Sequence, residues 1–139
     1  NPYHASISFS HHFFDWPQLS FTITDTHFSQ RDRMGRLMAF LARNLNEARA
    51  PALLGIAVDE ATTLGVDKKW QATVFGQNHV YFVDANHPPE KAVPGQPLDY
   101  SDFKIWRLNP GQSFDLNRRN QAGAYSISVR NGQLSGNPY

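Results

Sequence analysis

Hydrophobic and polar residues alternate over residues 19–25 (LSFTITD), and the β-branched content of this run favours a strand. Ser29, with Asp32 three residues later, is typical of a helix start, and Pro51 forbids the helix beyond that point. Between them, apolar residues recur at spacings of three and four, which predicts an amphipathic helix; they are Met34, Leu37, Met38, Leu41 and Leu45. The nearly continuous apolar run LLGIAVD (53–59) then suits a strand buried on both faces.

Strand, helix and strand within about 40 residues have the size of a βαβ unit, whose two strands run parallel. The segment Asp25-Thr26-His27 ends the first predicted strand, and Asp59-Glu60 ends the second. Because parallel strands finish at the same edge, we expect these residues to lie close together. Open α/β sheets bind ligands at this carboxyl edge, so the pattern predicts a functional site there.

The pattern changes to β after Glu60. Three short β-rich runs follow, TTLGVD, WQATVFG and HVYFVD. They are separated by residues 67–69 (DKK) and 76–78 (GQN), which we predict to be hairpin or meander turns. All three runs are therefore expected to be neighbouring antiparallel strands.

The remainder of the chain divides into a proline-rich segment and further strands. Residues 85–102 contain four of the nine prolines and are predicted to be an extended surface linker. Asn131-Gly132 predicts a type I′ hairpin near the end of the chain. We therefore expect residues 1–84 to form an α/β unit, with residues 85–139 a linker and β extension packed on it.

Composition excludes several classes of function. The 139 residues fit one domain, and a net charge of +1 gives no general attraction to nucleic acid or membrane. Without cysteine there is no disulfide or thiolate metal site, and no apolar run has the length of a membrane span. His11 and His12 lack an accompanying ligand motif, so neither a metal site nor a cofactor is expected. The opening Asn1-Pro2-Tyr3 reads like the interior of a protein, which suggests a processed fragment or one subunit of a cut precursor.

His27 is the candidate general base, because it follows a strand and has acids at the neighbouring strand end. Either Glu60 or Asp59 could orient its imidazole. The alternative is that these acids only terminate the strand and solvate its edge. A histidine base for acyl transfer also needs a nucleophile, and the sequence contains no Gly-x-Ser-x-Gly elbow.

Three arginines stand where the helix is predicted to begin, although a helix N-terminus normally attracts acids; they are Arg31, Arg33 and Arg36. Arg31 is in line with Met34 and Met38 at the head of the buried stripe. It is therefore expected to snorkel, to pair with an acid or to face a cleft. A guanidinium fork suits a carboxylate, so the cluster indicates either an anionic substrate group or a solvated basic helix face.

Three segments together resemble the second half of the cyanophycinase-like serine peptidases, a family that includes the aspartyl dipeptidase peptidase E. They are Asp25-Thr26-His27-Phe28, the three arginines at their spacing, and Gly55-Ile56-Ala57-Val58-Asp59-Glu60. The match is dense over residues 22–66 and weaker over 67–84. This resemblance implies the second half of a glutamine-amidotransferase-like (flavodoxin-like) parallel α/β sheet, with a C-terminal antiparallel β extension.

The resemblance also implies a site. His27 would be the general base and Glu60 the orienting acid, with Asp59 the alternative. The substrate pocket would be lined by Asp25, Thr26, Arg31, Arg33 and Arg36. Family members cleave peptide or isopeptide bonds next to aspartyl groups. Thr26 stands where cyanophycinases proper have glutamine, so one polar substrate contact differs.

The family's nucleophilic serine lies upstream of the matching region, so the expected partner is an upstream half of the same precursor that carries this serine. A homodimer of the assembled enzyme is one expected assembly, and relatives with similar β extensions favour a secreted or periplasmic location. The chain alone would be inactive, because a catalytic triad needs its nucleophile. The alternative function is a non-catalytic α/β binding or scaffold module.

Overall fold

A computed structural model of the chain describes residues 1–10 and 16–139, so the predictions for His11 and His12 lie outside the described residues. β1 (Thr22–Thr26), α1 (Met34–Asn46) and β2 (Leu53–Val58) follow in order. β1 pairs with β2 in parallel, which confirms the predicted strand–helix–strand unit. The other strands are β3 (Thr62–Val66), β4 (Gln71–Gly76), β5 (Val80–Ala85), β6 (Tyr100–Leu108), β7 (Ser113–Asp115), β8 (Tyr125–Arg130) and β9 (Gln133–Leu134).

Two sheets organise these strands. The larger has six strands in the order β1-β2-β5-β6-β8-β9, and the smaller has the order β3-β4-β7. Only the β1–β2 pair is parallel, and every other pair in both sheets is antiparallel. The described residues thus form an α/β fold with a mixed, mostly antiparallel sheet and one α-helix. The parallel sheet implied by the family resemblance is represented only by the β1–β2 pair.

The turn predicted at residues 76–78 has a different role from the one expected. Residues 67–69 do join β3 and β4 as a hairpin, but β5 leaves that group and pairs with β2 and β6. Gly76 has a φ of +115°, and a Cβ there would lie 2.3 Å from the Ala61 carbonyl oxygen. Gly76 therefore allows the chain to cross closely from one sheet to the other, which a side chain would prevent.

The large sheet is covered on both faces, which explains why β2 and β5 are almost wholly buried. One face packs against α1, and a Cβ on Gly55 of β2 would lie 2.8 Å from the Leu37 side chain. The opposite face packs against the small sheet, where Phe82 and Phe114 stack at 4.0 Å between ring centroids. β2 is held between these two apolar layers, and β1, whose Thr24 and Thr26 are exposed, is fixed through its pairing with β2.

Helix α1 begins later than the sequence predicts. Residues Ser29–Arg31 form a separate 3₁₀ turn, and Asp32 adopts a left-handed φ of 46° that interrupts the helix. The backbone N–H of Ser29 donates to Asp59 Oδ1 at 2.8 Å, so Ser29 serves a tertiary contact instead of a capping box. The helix N-terminus is capped by Tyr139, whose hydroxyl accepts from the Met34 N–H and donates to Asp32 Oδ1, both at 3.0 Å.

Residues 85–102 are only partly the surface linker that was predicted. Leu98 is buried, Lys91 and Asp99 form an isolated bridge, and β6 already begins at Tyr100. The strands that follow extend the same six-stranded sheet beyond β5. Asn131-Gly132 joins β8 to β9 with φ values of 49° and 77°, which confirms the predicted hairpin turn.

Three tyrosines should make the fold sensitive to alkali. Burial raises the pKa of Tyr100, Tyr125 and Tyr139 to about 12 each. An unfolded tyrosine ionises near pH 10, so the unfolded state binds fewer protons than the folded state between pH 10 and pH 12. We expect the free energy of unfolding from urea titrations to hold up to about pH 10 and to fall above it. Tyr139→Phe should flatten part of this fall; an identical slope would contradict the assignment.

Candidate active site at the carboxyl edge of β1 and β2

His27 and Glu60 meet where the two parallel strands end. Thr26 and Val58 are register partners at the last positions of β1 and β2, and the chain turns immediately after both. His27 Nδ1 lies 2.7 Å from Glu60 Oε1, with about half of each side chain exposed. The proximity predicted from the strand pattern is therefore present in the structure.

Glu60 is held in place by two residues that sequence reasoning missed. The Glu60 N–H donates to Gln30 Oε1 at 3.0 Å, and Asn78 Nδ2 donates to the Glu60 carbonyl at 2.8 Å. Gln30 lies on the 3₁₀ turn and Asn78 on the crossover between the two sheets. Neither element was predicted correctly, so nothing in the sequence pattern indicated these contacts.

Asp59, the alternative orienting acid, has a different set of partners. Its side chain is almost fully buried, and its Oδ1 accepts from the Ser29 N–H at 2.8 Å. Its Oδ2 accepts from the His79 N–H at 3.3 Å. Asp59 thus ties the 3₁₀ turn to the start of β5, while its neighbour Glu60 contacts the imidazole.

The His27 ring is oriented through one nitrogen only. Its Nδ1 faces the Glu60 carboxylate, whereas Nε2 has no hydrogen-bond partner among residues 1–10 and 16–139. A carboxylate on Nδ1 fixes the tautomer that leaves a lone pair on Nε2. His27 also has a left-handed φ of 49°, an uncommon conformation for a residue with a Cβ. Such conformations cluster at functional sites.

Asp25 lies between two of the three arginines. Arg36 Nη2 contacts Asp25 Oδ1 at 2.5 Å and Oδ2 at 2.6 Å, and Arg36 Nε reaches Oδ2 at 3.2 Å. Arg33 Nη1 lies 3.3 Å from Asp25 Oδ1 and donates to the Thr26 carbonyl at 2.7 Å. The Asp25 side chain is 8% exposed and that of Arg36 is 43% exposed, so the carboxylate is shielded from water while Arg36 remains partly in contact with it. The pairing fixes the end of β1 against the start of α1.

Arg31 does not lie where the sequence predicts. It is exposed on the 3₁₀ turn, so the expectation that it heads the buried stripe and cannot face solvent is wrong. The left-handed Asp32 separates this turn from α1 and changes the direction of the chain. In the described part of the chain Arg31 makes no ion pair, and its side chain is exposed to solvent.

The described ranges show no features of a metal site or a membrane span. No group of three or more potential metal-ligating side chains occurs in residues 1–10 and 16–139. No helix within the same ranges is long and apolar enough to cross a membrane. The chemistry that the edge offers is an imidazole oriented by a carboxylate.

Comparison with known proteins shows similarity to two cyanophycinases. No family model matches the chain. Over 101 residues it is 33% identical to the cyanophycinase of Trichormus variabilis and to that of a Nostoc species. The matched region is 70% of this chain and 32% of each relative, so the chain spans about a third of the length of the cyanophycinases it matches. These similarities support a cyanophycinase-like relationship for that part of the chain.

Proposed function

We propose that this chain is the base-supplying part of a serine peptidase that hydrolyses peptide or isopeptide bonds next to aspartyl residues. The observation that supports this proposal most is the His27–Glu60 contact at 2.7 Å, with Nε2 left without a partner in the described residues. The similarity to two cyanophycinases agrees with it. We also propose that the segment upstream of this chain supplies the nucleophilic serine and further parallel strands of the sheet.

In the proposed mechanism, His27 Nε2 removes the proton from a serine hydroxyl of the upstream half. The serine oxygen then attacks the scissile carbonyl carbon, and Glu60 stabilises the imidazolium that forms. His27 next donates the proton to the leaving amine, which breaks the C–N bond and leaves an acyl-enzyme. Deacylation repeats the sequence with water in place of the serine hydroxyl. Each step uses Nε2, the nitrogen that Glu60 leaves unoccupied.

We propose unequal roles for the residues of the substrate pocket. Asp25 already neutralises part of the charge on Arg33 and Arg36, so the main role of these two arginines is to hold the end of β1 against the start of α1. Arg31 remains accessible and is the first candidate to receive a substrate carboxylate. Thr26 is exposed at the end of β1 and offers a hydroxyl to the same substrate.

The upstream half is proposed to dock on β1. β1 is an outer strand of the six-stranded sheet in the described residues, so its free backbone edge can pair with a further strand. A strand added in parallel would bring its own carboxyl end beside His27. This geometry is what a serine on a strand-turn-helix elbow requires. The assembled pair could then form the expected homodimer.

Co-expression of this chain with the coding sequence upstream of it tests the proposal. We expect a Gly-x-Ser-x-Gly polypeptide to co-purify, as intact mass would show, and the complex to hydrolyse a β-aspartyl dipeptide. The rival function is a non-catalytic binding or scaffold module, favoured by the absence of the elbow motif from these residues. If no such polypeptide exists, or if the complex is inactive on aspartyl peptides, the peptidase proposal is refuted in favour of the binding or scaffold module.

Substitution of the two adjacent acids should separate their roles. Glu60→Gln should lower kcat of the assembled enzyme by about 10²- to 10⁴-fold with little change in KM, because the imidazole loses its charged partner. Asp59→Asn should chiefly lower the free energy of unfolding, since Asp59 bonds two backbone N–H groups. Steady-state kinetics and thermal unfolding of both variants check this. A larger kcat loss for Asp59→Asn would reverse the assignment.

A further inference from the structure

A polar cleft lies at the end of the six-stranded sheet opposite to the candidate active site. Its volume is about 340 Å³, within the range of small-molecule sites. Asp84 of β5 lines it and is the register partner of Leu54, near the start of β2. His27 and Glu60 follow the opposite ends of β1 and β2. The cleft is therefore separate from the candidate active site.

Asp84 carries an oxygen without a hydrogen-bond donor. Its side chain is 6% exposed, and no described residue hydrogen bonds to its Oδ1. The nearest cation is Arg119, whose Nη1 lies 3.9 Å away, beyond hydrogen-bond distance. Burial raises the pKa of the Asp84 carboxyl, while Arg119, Lys104 and Asn86 act in the opposite direction. A buried carboxylate oxygen left without a donor is costly, which points to a donor from a bound group.

The cleft also has an excess of positive charge. Lys104, Arg118 and Arg119 line it together with Asp84, so three cations face one carboxylate. Lys104 and Arg118 are exposed, and neither forms an ion pair within residues 1–10 and 16–139. Guanidinium groups bind carboxylates through paired hydrogen bonds. This side of the cleft is suited to an anionic group.

The loop that carries the two arginines is fixed by Gln121. Gln121 Nε2 donates to the Asp115 carbonyl at 2.9 Å and to the Arg118 carbonyl at 2.7 Å. Its Oε1 accepts from the Asp115 N–H at 3.1 Å, and its carbonyl accepts from Trp106 Nε1, also at 3.1 Å. Arg118 and Arg119 therefore stand on a preformed loop, which lowers the entropic cost of binding a ligand between them and Asp84.

We propose that this cleft binds an acidic amino acid, with its ammonium group on Asp84 Oδ1 and its carboxylates on Lys104, Arg118 and Arg119. A simple dicarboxylate would leave Asp84 Oδ1 without a donor and would be repelled by the negative charge of Asp84. A simple amine would be repelled by the three cations. Asp84 Oδ1 is enclosed in the structure, so the proposal requires Arg119, whose Nη1 lies 3.9 Å away, to turn towards a ligand carboxylate as the ammonium enters. The proposal is independent of the peptidase function, because it uses none of the residues of that site.

Calorimetric titration of the purified chain with L-aspartate and with succinate tests the proposal. Succinate has the same two carboxylates but no ammonium group. We expect aspartate to bind at least about tenfold more tightly than succinate, because one hydrogen bond between charged groups contributes about that factor to the affinity. Asp84→Asn should remove that preference, and Arg118→Ala should weaken both ligands. Equal binding of the two ligands by the unaltered chain, or no binding, would overturn the proposal.

Arg130→Ala is the matched control for Arg118→Ala, because Arg130 is an exposed arginine that belongs neither to the cleft nor to the candidate active site. It should leave aspartate binding unchanged. Loss of aspartate binding in Arg31→Met, with full binding retained in Arg118→Ala, would place aspartate in the proposed substrate pocket and would overturn the second site. Circular dichroism establishes that each variant is folded. Should Asp84→Asn not fold, retention of full affinity in Arg118→Ala, an exposed substitution, would equally refute the proposal.

Discussion

Replacement of His27 by alanine should lower kcat of the assembled enzyme by about 10⁴-fold or more. Without the imidazole, the serine hydroxyl keeps its proton and the leaving amine receives none. KM should change little, because among residues 1–10 and 16–139 the His27 side chain hydrogen bonds to Glu60 and not to Arg31, Arg33 or Arg36. The residual rate would come from substrate binding and from the groups that stabilise the oxyanion. Steady-state hydrolysis of a β-aspartyl dipeptide measures the effect.

His4→Ala is the matched control for this experiment. His4 is exposed near the start of the chain, and within the described ranges its ring hydrogen bonds only with Ser6. The control should retain full activity. The role of His27 would be refuted if His27→Ala hydrolysed the dipeptide at a rate within tenfold of the unaltered enzyme. Thermal unfolding should be almost the same for all three proteins, since the His27 side chain is half exposed.

Replacement of Asp25 by alanine should destabilise the fold by about 3 kcal/mol, equivalent to roughly 10 °C in Tm. The substitution removes the almost fully buried carboxylate that bonds Arg36 and Arg33, and leaves the two guanidinium groups close together without it. Differential scanning calorimetry measures the change. The loss should exceed that for an exposed ion pair, which is usually below about 1 kcal/mol.

A double-mutant cycle with Arg36→Met separates the pair from other effects of the substitution. Once Asp25 is alanine, Arg36→Met should cost at least about 1 kcal/mol less than it does alone, because the repulsion between arginines is relieved. Strict additivity of the two changes would show that Asp25 and Arg36 are not coupled. Arg36 is the better partner for the cycle, since its contact with Asp25 is two-pronged and shorter than that of Arg33.

The sequence predicted those parts of the fold that depend on local periodicity. The alternation before Asp25, the apolar stripe of α1 and the apolar run of β2 each fixed one element, and their short spacing fixed the parallel pairing. The meeting of His27 with the acids after β2 followed from that pairing. The choice between Asp59 and Glu60 could not follow from it. Adjacent residues are distinguished only by burial, which depends on the rest of the fold.

The failures share a physical cause, which is competition from distant partners. The sequence predicts a capping box at Ser29, but the Ser29 N–H bonds to Asp59, thirty residues away. The N-terminus of the helix is capped by the Tyr139 hydroxyl instead. The crossover at Gly76 depends on its close approach to Ala61. Asp84 lies in a strand whose other residues are apolar, and the loop that brings Arg119 towards it is fixed by Gln121. No local pattern carries such information.

The left-handed backbone of His27 creates a conflict between stability and the proposed function at this position. A residue with a Cβ loses about 1–2 kcal/mol in a left-handed backbone, a cost that glycine avoids. Selection for thermal resistance alone would therefore favour glycine at position 27 and discard the imidazole. Under the proposed function, a redesign for higher thermal stability should therefore keep histidine at position 27, because glycine there would remove the general base.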